Sequence, residues 1–201
     1  MTLALFGLTL LLAIVHWITV YKHWYKAEFF FKPAVMAALL VAYLFGKPDF
    51  ASSGWFFVAA ILFSMAGDLL LLFPSRFVLG LLLFVLAHIG YIIGFNIPFP
   101  HISLPVVALA ILVIVPANWL YRRIRAGLVE KGLRRLRKPV QAYMVILSLM
   151  FLSGFATLFR PEWSLNAALL VAGGAALFAA SDSLLAWNKF VHPLRTRRVG
   201  Y

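Results

Sequence analysis

Residues 54–73 read GWFFVAAILFSMAGDLLLLF and are closed by Pro74 and Ser75. The run is apolar almost throughout, with a single ionisable residue, Asp68. A helix needs roughly 20 such residues to cross the hydrocarbon core of a bilayer. A barrel strand would instead alternate apolar and polar positions over about ten residues, and this stretch does not. It reads as a membrane-spanning helix that carries one carboxyl group inside it.

The same reading extends in both directions. Apolar runs cover about 2–20, 29–45, 77–96, 103–121, 139–159 and 163–187, separated by Pro, Gly and charged residues. The first run has no basic residue ahead of it and no small-x-small cleavage site behind it, so it reads as a span and not as a secretory leader. The expected fold class is all-α: a polytopic helical membrane protein with seven spans, forming one transmembrane domain over 1–201. Residues 122–138 are expected to be a basic linker. Gly173-Gly174, like Ala66 and Gly67 beside Asp68, are expected to let helix backbones approach closely.

Composition agrees. The chain has 201 residues, of which 64% are hydrophobic, against 18 basic and six acidic side chains. A soluble domain is about 45–50% apolar, so a water-soluble single domain is nearly excluded. Cysteine is absent, which removes disulfides, thiol nucleophiles and thiolate metal sites. The formal charge of +12 would suggest nucleic acid in a soluble chain. Here the charges sort by side instead. With seven spans and the amino terminus outside, the inner segments hold 15 Lys and Arg and the outer loops hold two. Basic loops face the cytoplasm and its anionic lipid. That places the amino terminus outside and makes membrane lipids, with no nucleic acid, the expected partners.

Ionisable groups at membrane depth are costly and mark functional positions. Counted at 1.5 Å per residue, Asp68 and Asp182 each lie about 7–8 Å in from the inner end of their spans. Lys32, Tyr143 and His16 fall in the same inner layer on three further helices. His88 lies deeper, near the midplane, sharing a helix face with Phe84 and Tyr91, as Ser64 does with Asp68. Lys22, Lys26 and Arg76 can form a positive rim for a phosphate-bearing headgroup. Each position also has a plain structural reading. Lys32 can snorkel, the aspartates can form an ion pair with it, and His88, His16, Tyr143 and Ser64 can serve helix packing.

Two carboxyls in a sheltered site suit unequal roles, one holding a proton and the other staying ionised beside a cation. The first can donate a proton while the second orients or deprotonates water. A divalent metal on the aspartates and His88 is the rival reading. No His-x-x-x-His or Glu-x-x-His pairing supports it, and neither metal nor cofactor is expected.

The segments Gly67-Asp68-Leu69-Leu70-Leu71, Gly80-Leu81-x-x-Phe84-x-x-x-His88-x-x-Tyr91 and Ser181-Asp182-x-Leu184-Leu185-Ala186-x-Asn188-x-Phe190 resemble those of the YhhN/TMEM86 family of integral-membrane lysoplasmalogenases. Lys32-Pro33 and Tyr143-Met144 fit the same pattern, and the likeness runs from Lys32 to Phe190. The resemblance implies hydrolysis of the vinyl ether bond of a lysoplasmalogen, a lysophospholipid-like substrate. The products are a fatty aldehyde and glycerophosphoethanolamine or glycerophosphocholine. It implies Asp68, Asp182 and His88 as catalytic residues. Lys32, Tyr143, Ser64, Ser181, Asn188, Phe84 and Tyr91 are implied as substrate-binding. It also implies a family pattern of eight spans, so this member is shorter or an eighth helix lies outside the chain. The expected location is the cytoplasmic (inner) membrane of a bacterium, and the oligomeric state is left open. The competing class is a membrane protein that binds or transports a lipid or small solute without catalysis, since polar residues on several helices also suit a transport path.

Overall fold

The structure is a computed structural model that describes residues 2–22, 24–100 and 103–192. Helices α1 (Thr2–Tyr21), α2 (Tyr25–Phe45), α3 (Gly54–Leu70), α4 (Phe77–Phe95), α5 (Leu104–Glu130), α6 (Arg137–Ala156) and α7 (Leu165–Phe190) follow the seven apolar runs. Five of them meet the length and hydropathy of a membrane span outright, and the apolar stretches Phe29–Phe45 and Gly54–Leu70 are shorter. The described residues contain no strand. The protein is a polytopic helical membrane protein. Much of the tail counted for orientation, like His23, lies outside the described residues.

The helices form two compact units, Met1–Ile97 and Pro98–Tyr201. In the first, α1 packs on α2, α2 on α3 and α3 on α4. A short 3-10 turn, Pro74–Arg76, joins α3 to α4. The two backbones come close at Gly67 and Gly80. A Cβ at Gly67 would lie 2.9 Å from the Phe84 ring, and one at Gly80 would lie 2.9 Å from the Leu71 side chain. Small residues at such a crossing allow dense packing where no hydrophobic drive exists between helices.

In the second unit α5, α6 and α7 all touch one another. The expected linker at 122–138 is corrected here, because α5 continues unbroken through Glu130. Ile124 and Leu128 are completely buried, so the apolar stripe of α5 runs on beneath the arginines at helical spacing. The helix stops at Gly132, whose φ of +71° favours glycine. The Leu133 amide donates to the Leu128 carbonyl at 2.8 Å and the Gly132 amide to Val129 at 3.1 Å, which is a Schellman closure.

Three other expectations shift. Helix α3 ends at Leu70, not 73, and α7 runs on to Phe190, not 187. No described atom approaches a Cβ built at Gly173 or Gly174 within 4 Å. The close approach in this unit is made instead by Gly127, where a Cβ would collide with the Phe190 carbonyl oxygen.

Candidate functional site

Helix α3 delivers Asp68 in its last turn, and α2 delivers Lys32 one residue before a helical proline, Pro33. Lys32 Nζ lies 3.0 Å from Asp68 Oδ1, with side chains 22% and 21% exposed. Of the two aspartates that Lys32 could have joined, the structure joins it to Asp68. His16 on α1 lies within electrostatic reach of the same carboxylate. Three of the five expected inner-layer side chains thus meet in one place, each from a different helix. His16, which sequence reasoning left off the list of site residues, lies within electrostatic reach of this pair. The signal for it was its matching depth.

Aromatic and basic side chains flank Lys32 and Asp68 along the chain. Phe29 and Phe73 meet edge to face with centroids 6.3 Å apart, and the Arg76 guanidinium sits 5.7 Å from the Phe73 centroid. Lys22, Lys26 and Arg76 are exposed, as a rim for a phosphate would require.

Further into the unit, Ser64 and His88 are buried almost completely at 1% and 0% exposure. Phe84, also buried, lies beside His88 with ring centroids 6.4 Å apart and closes against Gly67. Tyr91 neighbours Ser64 and stacks on Phe95 at 6.0 Å. Phe84, His88 and Tyr91 therefore occupy one face of α4 turned toward α3, as their spacing predicted.

The second unit holds the other carboxyl. Tyr143 of α6 donates a hydrogen bond from its hydroxyl to Asp182 Oδ2 of α7. Tyr143 and Met144 are buried. A phenol is a neutral donor, unlike the ammonium that meets Asp68. Ser181 is exposed, while Asn188 and Phe190 are buried near the end of α7. Ser181 and Asn188, both expected to contact substrate, therefore lie in contrasting surroundings. Among the described residues no group of three or more His, Asp or Glu side chains is placed to hold a metal ion.

The arrangement offers two chemically distinct carboxyl centres in apolar helices: one neutralised by an ammonium, the other bonded by a phenol. A carboxylate beside a cation is favoured as the anion. A carboxyl that accepts a phenol hydrogen bond is likewise stabilised as the anion, by a dipole in place of a full charge.

Comparison with known proteins gives a consistent picture. The model of the YhhN family matches residues 27–200. Lysoplasmalogenase TMEM86B of Mus musculus is 30% identical over 160 residues, covering 80% of this chain and 62% of the relative. Lysoplasmalogenase TMEM86B of Homo sapiens is 32% identical over 136 residues, covering 67% and 51%. A lysoplasmalogenase of Mycobacterium bovis is 32% identical over 168 residues, covering 79% and 58%. The chain thus spans between 51% and 62% of the length of these relatives. No solved structure matches it.

Proposed function

The chain belongs to the YhhN family, and from that premise we propose that it is a membrane hydrolase that cleaves the vinyl ether bond of lysoplasmalogens. The observation that carries the reading is a partnered carboxyl in each of two apolar helices, Lys32 on Asp68 and Tyr143 on Asp182. The names of the relatives supply the substrate class.

Vinyl ether hydrolysis needs a proton at the carbon β to the ether oxygen and an anion near the charge that then develops. In this reading one of the two aspartates donates the proton. The double-bond electrons form the new C–H bond and leave an oxocarbenium ion at the α-carbon. The other aspartate, as its carboxylate, stabilises that charge electrostatically. Water adds to the α-carbon and gives up a proton to a carboxylate, forming a hemiacetal. The hemiacetal then collapses, its carbon–oxygen bond to glycerol breaking as the glycerol oxygen is protonated. One water is consumed, and a fatty aldehyde and a glycerophospho-base leave. His88 orders water or relays a proton, while Lys22, Lys26 and Arg76 attract the phosphate. The excess of basic residues on one side supports a cytoplasmic location for that rim in a bacterial inner membrane.

The test is mass spectrometry of lysoplasmalogen incubated with the purified protein in deuterated water. The expected aldehyde carries one deuterium on the carbon next to the carbonyl, because the solvent-derived proton is delivered there. Asp68→Asn and Asp182→Asn each yield none while still inserting into the membrane. Full activity in either variant would refute the assignment. Saturable binding of intact lipid without aldehyde would favour a carrier.

A further inference from the structure

Helix α5 is longer than a bilayer requires. Its 27 residues extend about 40 Å at 1.5 Å per residue, against about 30 Å for the hydrocarbon core. The last two turns therefore project beyond the apolar span, and they carry the basic residues that the span lacks. Arg122, Arg125, Lys131, Arg134, Arg135 and Lys138 are all exposed, and the single acidic residue between 122 and 138 is Glu130.

The projecting segment is held in place by packing. Ile124 and Leu128 are completely buried, and the Gly127 backbone meets the Phe190 carbonyl at the end of α7. Lys131 Nζ donates to the Lys189 carbonyl at 2.9 Å. At its base Trp119 stacks on Trp187, with centroids 5.9 Å apart and planes 18° from parallel. The Arg123 guanidinium lies 5.7 Å from the Trp119 centroid. Tryptophan gathers at the headgroup level of a bilayer, so the cations just beyond this pair sit at the height of lipid phosphates. Two apolar side chains among them, Val129 and Leu133, are 36% and 39% exposed. The Nε of Arg137, at the start of α6, is buried without a hydrogen-bond acceptor among the described residues.

We propose that the end of α5 and the turn into α6 form a preformed binding face for the phosphate headgroups of anionic phospholipids. The exposed cations supply the positive charge that phosphate headgroups attract. Because the backbone is fixed by the α5–α7 packing, binding orders only side chains and little main chain. Val129 and Leu133 give the face an apolar element suited to the region between headgroup and acyl chain, which a nucleic acid would not use.

The experiment uses the full chain reconstituted in membranes of mixed phosphatidylcholine and phosphatidylglycerol. The protein is extracted with mild detergent, and the lipids that remain bound are quantified by mass spectrometry. Phosphatidylglycerol is expected to be enriched over its share of the starting membrane. Replacing Arg122, Arg125, Arg134 and Arg135 by Gln is expected to abolish the enrichment, each lost cation lowering it about fivefold. The matching Lys variant keeps the charge and most of the enrichment. The proposal is overturned if the unaltered protein retains phosphatidylglycerol only in bulk proportion. It is equally overturned if the Gln variant retains the lipid, or if the Lys variant loses it as fully as the Gln variant does.

Discussion

Removing the ammonium of Lys32 should do more damage than removing the whole ion pair. At a separation of 3.0 Å and an effective dielectric constant near 20, the attraction between the two charges is about 5 kcal/mol. Taking out one partner leaves the other charge in an apolar helix without compensation, at a cost of roughly 3–5 kcal/mol. Lys32→Met and Asp68→Asn are each expected to destabilise the protein by about that amount, whereas the double variant loses far less. The measurement is a double-mutant cycle from reversible unfolding in mixed micelles, read as the coupling between the two substitutions. Activity follows a different course. The double variant regains stability but no hydrolysis, since Asp68 is still absent. A coupling below about 1 kcal/mol, the range of solvent-exposed pairs, would refute the view that this carboxylate is sheltered.

Other outcomes follow from the same structure. Gly127→Ala pushes a methyl group into the Phe190 carbonyl and should lower stability by at least about 1–3 kcal/mol. Gly174→Ala meets nothing and should raise it by up to about 1 kcal/mol through helix propensity; thermal unfolding in detergent measures both. Tyr143→Phe removes the hydrogen bond to Asp182 and is expected to slow aldehyde release by roughly ten- to a hundredfold with insertion unchanged. Equal rates would remove the phenol from the mechanism. Because the chain contains no cysteine, single cysteines report sidedness cleanly. A membrane-impermeant maleimide should label Lys47→Cys in intact cells and Arg134→Cys only after permeabilisation, and the reverse pattern would invert the orientation.

The helices were legible because each apolar run is long, continuous and ended by Pro, Gly or charge. The projection of α5 was not, because the arginines after Tyr121 resemble the edge of a span. The stripe through Ile124 and Leu128 shows that burial continues below them. Depth along each helix was readable by counting, and it marked Asp68, Lys32 and His16 before any coordinates. Which aspartate Lys32 would join was not readable. That choice depends on how whole helices pack, and no local pattern encodes it. The glycines show the same limit: Gly173-Gly174 has the composition of a close crossing but meets no neighbour, whereas Gly127 lies between arginines and makes one.

Helix α2 contains a point of compliance. Pro33 has no amide hydrogen, so the carbonyl of Phe29 lacks the helical donor four residues ahead of it. Flexing the backbone at this level sacrifices one rung fewer than flexing it elsewhere in α2, and the adjacent residue is the one that carries the ammonium. A swing of the first two turns can therefore tune the distance between opposite charges. A bend of the rod at this level would lengthen or shorten the ionic contact beside it.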